Sequence, residues 1–304
     1  MSVELDNSNV SKVLGKTVDY PDQYDPSILV REPRQSNRKH LQILDDDLPF
    51  VGADVWNAYE ISCLTEKGLP VAAIAKIVYP CSNEYIVESK SIKLYFNSYN
   101  MSRFGETPDE ALSVIGERAS QDLSDLLETN VIVSLYTPTE ARENATKEIF
   151  DPKTYITLED QSNVIKDLTF DKYTETPSLL RAGINKNHTK QYYHSSLLKS
   201  NCRVTSQPDW GDVYIYMDSE HSLLPQQLLQ YIVSFRDECH FHEEICETIY
   251  KRLHTLYRPR ELAVTCLYAR RGGIDINPTR VSNVDLLNMD LIDPQVVFTK
   301  TPRQ

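Results

Sequence analysis

At 304 residues, with 40% hydrophobic and 25% charged residues, the chain has the composition of a globular protein and the length for one large or two ordinary domains. Its net charge of −12 argues against bulk nucleic-acid binding, which needs a basic surface to neutralise phosphates. No apolar run approaches the roughly 20 residues that cross a bilayer, and the start, Met-Ser-Val-Glu-Leu-Asp, lacks the basic-then-apolar pattern of a secretory signal.

Residues 1–50 are polar and carry Tyr20-Pro21, Asp25-Pro26 and Glu32-Pro33, which reads as an irregular arm. Between residues 59 and 96, runs rich in Val, Ile and Tyr (71–79 and 85–87) are broken by Gly68-Leu69-Pro70 and Pro80, the pattern of strands and hairpins. Thr107-Pro108-Asp109-Glu110 opens a helix expected to reach about Glu128. Thr107 suits the cap, Pro108 the first helical position, and the carboxylates the positive end. A buried strand is expected over 131–136, and 137–176 reads as a polar linker with some local structure.

The second half repeats this plan. Residues 262–268 resemble 130–136 at an offset of 132. Carried back without gaps, that offset places Glu88 over Glu220, Tyr99 over Tyr231, and 109–128 over 241–260. In the last stretch Phe241, Ile245, Ile249 and Leu253 line one helical face. An internal duplication is expected, with modules at 1–150 and 151–304. Each is an α+β layer of antiparallel strands with helices on one face.

Six cysteines in a chain this long do not form a disulfide framework, which implies reduced thiols and a cytoplasmic location. Cys63, Cys81 and Cys266 have strand-like neighbours and read as core. Cys202 differs, because Lys199, Ser200, Asn201, Arg203 and Thr205 give it the polar, partly cationic setting of a thiol that ionises. Asp209 follows seven residues later, and His242 and Glu243 sit at the head of the later helix. Thiol, carboxylate and imidazole are the parts of covalent nucleophilic chemistry. The run Cys239-His240-Phe241-His242 with Cys246 offers zinc-type ligands, but no C-x-x-C pair or separate group completes a tetrahedral site. None of the nine glycines falls in G-x-G-x-x-G or G-x-x-x-x-G-K-[ST], so any nicotinamide cofactor would sit outside a Rossmann crevice.

Several stretches together carry a family resemblance. They are Val-Glu-Ser-Lys-Ser-Ile-Lys-Leu-Tyr at 87–95, Cys202 with Thr205, Gln207, Pro208 and Asp209, Phe241-His242-Glu243, and Arg-Arg-Gly-Gly-Ile-Asp-Ile-Asn-Pro at 270–278. Residues 14–27, Leu-Gly-Lys-Thr-Val-Asp-Tyr-Pro-Asp-Gln-Tyr-Asp-Pro-Ser, look like the opening of a two-module form. The chain resembles QueF, the NADPH-dependent nitrile reductases that make 7-aminomethyl-7-deazaguanine for queuosine modification of transfer RNA.

The resemblance implies two tandem tunnelling-fold modules, a homodimer, and two NADPH per turnover with no metal. It implies a small deazapurine substrate, with no direct nucleic-acid or membrane partner. By motif, Cys202 is the nucleophile, Asp209 the acid–base group and His242 a proton-transfer or orienting group. Val87, Glu88, Ser89, His242 and Glu243 would hold the base, and Ser89, Lys90, Arg271 and Gly272 the cofactor. On the residues alone, Lys90 and Arg271 read as ordinary solvated charges. Two other readings stay open at this point. One is a zinc-dependent purine or pterin hydrolase of the same fold using Cys202, His240 or His242, and the other is a non-catalytic purine-binding protein.

Overall fold

The computed structural model describes residues 21–143 and 145–304; residues 14–20 of the leading motif lie outside them. Eight strands form one sheet: β1 (Val51–Leu64), β2 (Pro70–Pro80), β3 (Ile132–Tyr136), β4 (Ile156–Thr157), β5 (Ala182–Asn201), β6 (Pro208–Leu223), β7 (Glu261–Tyr268) and β8 (Ile274–Val281). Their order is β3-β2-β1-β8-β7-β6-β5-β4. Every neighbouring pair is antiparallel except β4 with β5. The last strand of the second half, β8, therefore pairs with the first strand of the first half, running from Ile274 opposite Ala58 to Val281 opposite Val51.

Four longer helices pack on the sheet: α1 (Ser89–Asn97), α2 (Pro108–Leu127), α3 (Pro225–Val233) and α4 (His242–Tyr257). The strand–strand–helix–helix–strand order thus occurs twice, as β1-β2-α1-α2-β3 and β5-β6-α3-α4-β7. α2 starts as its sequence demands: Thr107 caps it by accepting the Glu110 N–H, and Pro108 opens it. Side chains alternate across β1. Trp56 and Ala58 join the core under α1 and α2, while Ala53 and Val55 face the other way against Leu267 and Leu291. A second core, including Ile215, Met217, Leu228, Ile249 and Leu253, lies under α3 and α4. No helix among the described residues is long and apolar enough to cross a membrane.

Three sequence expectations need correction. The strand expected to be buried at 131–136 forms the sheet's edge, where Ile132 is 41% exposed and the backbone pairs with β2 alone among the described residues. The gapless alignment of the halves slips by four residues, one helical turn. Glu220 lies in β6, whereas Glu88 caps α1. Tyr231 is the counterpart of Tyr95, not of Tyr99. Each of this pair stands three residues before a serine, Ser98 or Ser234, whose hydroxyl donates back to the tyrosine carbonyl. That same hydroxyl accepts a backbone N–H from the segment leading into its module, Asp25 in one case and Thr176 in the other. The arm before residue 50 is also more than an irregular lead-in. Arg34 and Arg38 are 4% and 0% exposed, for the reason given by the charge network below.

Candidate active site

The spacing of Cys202 and Asp209 is that of a hairpin tip. Ser200 pairs with Asp209 and Asn201 with Pro208 across β5 and β6. The loop then closes through Cys202 N–H to the Gln207 carbonyl at 2.8 Å and Ser206 N–H to the Cys202 carbonyl at 2.9 Å. Thiol and carboxylate are thereby held at one end of the sheet. His242 and Glu243 are the first two residues of α4, whose leading turn is fixed by Glu244 accepting the Phe241 backbone N–H at 3.0 Å. Arg271 comes from the β7–β8 hairpin. Its turn is made by Gly272 and Gly273 at φ of +62° and +77°, a conformation open to glycine at little cost. The first half supplies Val87 and Ser89, the latter the first residue of α1.

These parts meet. Val87, Ser89, Cys202, Asp209, His242, Glu243 and Arg271 line one cleft of about 270 Å³, together with Trp56, His240, Phe241 and Ile276. The volume that a water-sized sphere can occupy there is only about 10 Å³, room for roughly one water. Three expected residues stand apart. The Glu88 carboxylate caps α1, accepting the Lys90 and Ser91 N–H groups at 3.0 and 2.7 Å. Lys90 is half-exposed and does not line the cleft. Gly272 lines a neighbouring recess with Glu60, Lys93 and Asn97.

Burial and hydrogen bonding pull the titrating groups in different directions. Burial alone would raise the Cys202 thiol. Hydrogen bonds from Thr205 and Arg271, and from the Thr205 and Val204 backbone, outweigh it and hold the thiol below its ordinary range. Asp209 is raised to about 6, because burial outweighs the Arg271 and Lys199 charges, although Arg271 Nε lies 3.0 Å from its Oδ1. His242 is lowered to about 3 by burial and by Arg271. It is therefore a neutral imidazole, and its 3.7 Å approach to Asp209 is no ion pair. Its ring sits edge-on to Tyr268 with centroids 4.0 Å apart. Glu243 is raised to about 8, first by burial and then by the negative Asp54. Its Oε1 is buried without a hydrogen-bond partner.

Behind Glu243 lies a buried charge network that the sequence did not announce. Arg34 meets Asp54 at 2.5 Å and Arg280 meets it at 2.8 Å. Glu247, one helical turn beyond Glu243, binds Arg280 at 3.0 Å and Arg38 at 2.8 Å. Two arginines from the leading arm are thus clamped between the sheet and α4. Trp56 lines the cleft without having been singled out from the sequence.

Comparison with known proteins is consistent over most of the chain. A family model described as nitrile reductase, 7-cyano-7-deazaguanine-reductase N-term, matches residues 20–135, and one described as QueF-like protein matches 208–285. An NADPH-dependent 7-cyano-7-deazaguanine reductase of Acidovorax ebreus is 41% identical over 276 residues, 89% of this chain and 92% of that protein. The chain belongs to this reductase family. Relatives of the same name are 40% identical in Polaromonas sp., over 90% of this chain and 94% of the other, and 38% identical in Coxiella burnetii, over 89% and 91%. Trp56, Val87 and Ser89 lie within the first matched region of this reductase family, and Asp209, His242, Glu243 and Arg271 within the second.

Among the described residues the zinc reading finds no ligand set. Both nitrogens of His240 are engaged, Nδ1 with Glu244 at 3.1 Å and Nε2 with Glu238 at 3.2 Å. Burial would lower this histidine, but those carboxylates raise it to about 9, so it is protonated and has no lone pair for a metal. Cys246 is buried, with its thiol directed at the Val264 and Pro278 carbonyls, and Cys239 is exposed.

Proposed function

We propose that the chain reduces the nitrile of 7-cyano-7-deazaguanine to the primary amine 7-aminomethyl-7-deazaguanine, a step toward queuosine in transfer RNA. The family membership supports this reading. The observation that carries it is one cleft holding a hydrogen-bonded thiol below its ordinary range, a carboxyl near neutrality and a buried glutamate oxygen without a partner.

A nitrile carbon is a poor hydride acceptor until activated. Asp209, ionised above about pH 6, accepts the Cys202 proton, and the thiolate adds to the nitrile carbon. A carbon–sulfur bond forms, one C–N π pair moves to nitrogen, and Asp209 returns the proton there, leaving a covalent thioimidate. Arg271, bonded to the Asp209 carboxylate and to Thr205 and Gln207, holds the hairpin tip in register for this exchange. Neutral His242 can take a proton on one nitrogen as it gives one from the other, a relay rather than a store. Glu243 accepts the N–H donors of the guanine-like edge, and Glu88 acts by fixing the helix start that presents Ser89.

NADPH, two per nitrile, supplies the hydrides. The residues fit such a ligand. Gly272 and Gly273 leave bare backbone beside Lys93, where an added Cβ would come within 3.3 Å of Lys93 Nζ or 2.5 Å of Glu60. Ser89, Lys90, Arg271 and Gly272 are the proposed holding groups, with no metal required. The proposal includes a cytoplasmic location and a homodimer that covers the β3 edge. Light scattering should give a mass near twice 35.0 kDa, and a monomer would discard the dimer.

The test is loss of NADPH absorbance on mixing the protein with 7-cyano-7-deazaguanine. Two NADPH consumed per nitrile, and none with Cys202→Ala, is the expected result. No consumption by the unaltered protein would refute the proposal.

A further inference from the structure

The cleft contains a second buried polar atom without a hydrogen-bond partner. Trp56 is 1% exposed, lines the cleft, and its indole Nε1–H meets no acceptor. An indole N–H can only donate, and folded proteins rarely leave such a group buried and unpaired. The register sets Trp56 between Ile77 and Ile276 on the flanking strands, within the same apolar core, a setting that supplies no acceptor for the indole. Glu243 Oε1, in the same cleft, has the opposite need, for a donor.

Resting on the function proposed above, we infer that Trp56 is a specificity-determining residue that donates its indole N–H to the ring carbonyl of the deazaguanine while Glu243 accepts the neighbouring N–H groups. A 6-oxo base presents a carbonyl acceptor beside an N–H donor. A 6-amino base presents the reverse order. Both unpaired protein groups are satisfied by the first and left unmet or opposed by the second, which turns two buried vacancies into discrimination. The joint between β1 and β8 positions this donor, so the first half contributes to reading the base through Trp56 as well as Ser89.

The chain has two tryptophans, Trp56 and Trp210, so an ¹⁵N-indole spectrum has two signals, assigned with Trp210→Phe. The probe is 7-aminomethyl-7-deazaguanine, which keeps the base edge and has no nitrile for Cys202 to capture. At saturation the Trp56 indole proton should move downfield and exchange more slowly. In turnover, Trp56→Phe should raise KM about tenfold, the scale of a hydrogen bond left unmade, with kcat within about threefold. Calorimetric binding with an unmoved Trp56 signal overturns the inference and leaves the proposed reaction standing. An unchanged KM in Trp56→Phe also overturns it. Absence of binding by this base overturns both. If Trp56→Phe does not fold, the indole titration of the unaltered chain decides alone.

Discussion

With its folded value raised to about 8, Glu243 contributes stability that is complete below the ordinary glutamate range and is lost as pH rises through about 8. Unfolding followed from pH 5 to 8 should therefore show the unaltered protein losing stability relative to Glu243→Gln. The same residue should bind the base more tightly as pH approaches 8, because an ionised carboxylate accepts two N–H groups where a carboxylic acid accepts fewer. A pH-independent gap between the two proteins would contradict this account. Asp209, raised to about 6, makes a separate kinetic claim. It must be ionised to take the Cys202 proton, so kcat/KM should fall below about pH 6. Asp209→Asn should lose that limb along with roughly 10²–10⁴ in rate, the range for a positioned acid–base group.

At the scale of elements, the leading arm is held by charge. Arg38 binds Glu247 at 3.0 and 2.8 Å and the Cys81 carbonyl at 2.7 Å, all buried. Arg38→Met would strip hydrogen bonds from Glu247 while leaving it Arg280, at a cost of about 1.5–3 kcal/mol; urea unfolding measures it, and a loss under about 1 kcal/mol would show the clamp to be dispensable. This part was hidden in the sequence. Arginines among Glu, Gln, Ser and Asn read as solvated, and the distant Glu247 and Asp54 make their burial possible. The α2 cap and the apolar stripe of α4 were legible, since both are local patterns of spacing. The hairpin that brings Cys202 to Asp209 was legible as spacing, though not as geometry. The capping by Glu88 was not: a carboxylate before a helix serves equally as cap or ligand, and sequence does not decide between them. The serine staples at Ser98 and Ser234 escaped the gapless comparison because the two halves differ by one turn at that point.

At the scale of the molecule, the cleft belongs to neither half. Cys202, Asp209, His242, Glu243 and Arg271 come from the second, and Trp56, Val87 and Ser89 from the first. A fragment spanning residues 175–304 would also leave β8 without β1 along one side. It should consume no NADPH with the nitrile substrate, and turnover by that fragment would sink the two-module requirement.

The β1–β8 pairing also bears on how the molecule is made. Partners in that joint are separated by more than two hundred positions, Val51 against Val281 and Ala58 against Ile274. During synthesis, β1 must wait with one edge bare until 274–281 leave the ribosome. Contacts this distant in sequence slow folding, and an open strand edge invites pairing with other chains in the meantime. The reactive pocket, which takes Arg271 and Ile276 from this end of the chain, is thus complete only after that strand is made, and an incomplete chain carries its thiol without the means to use it.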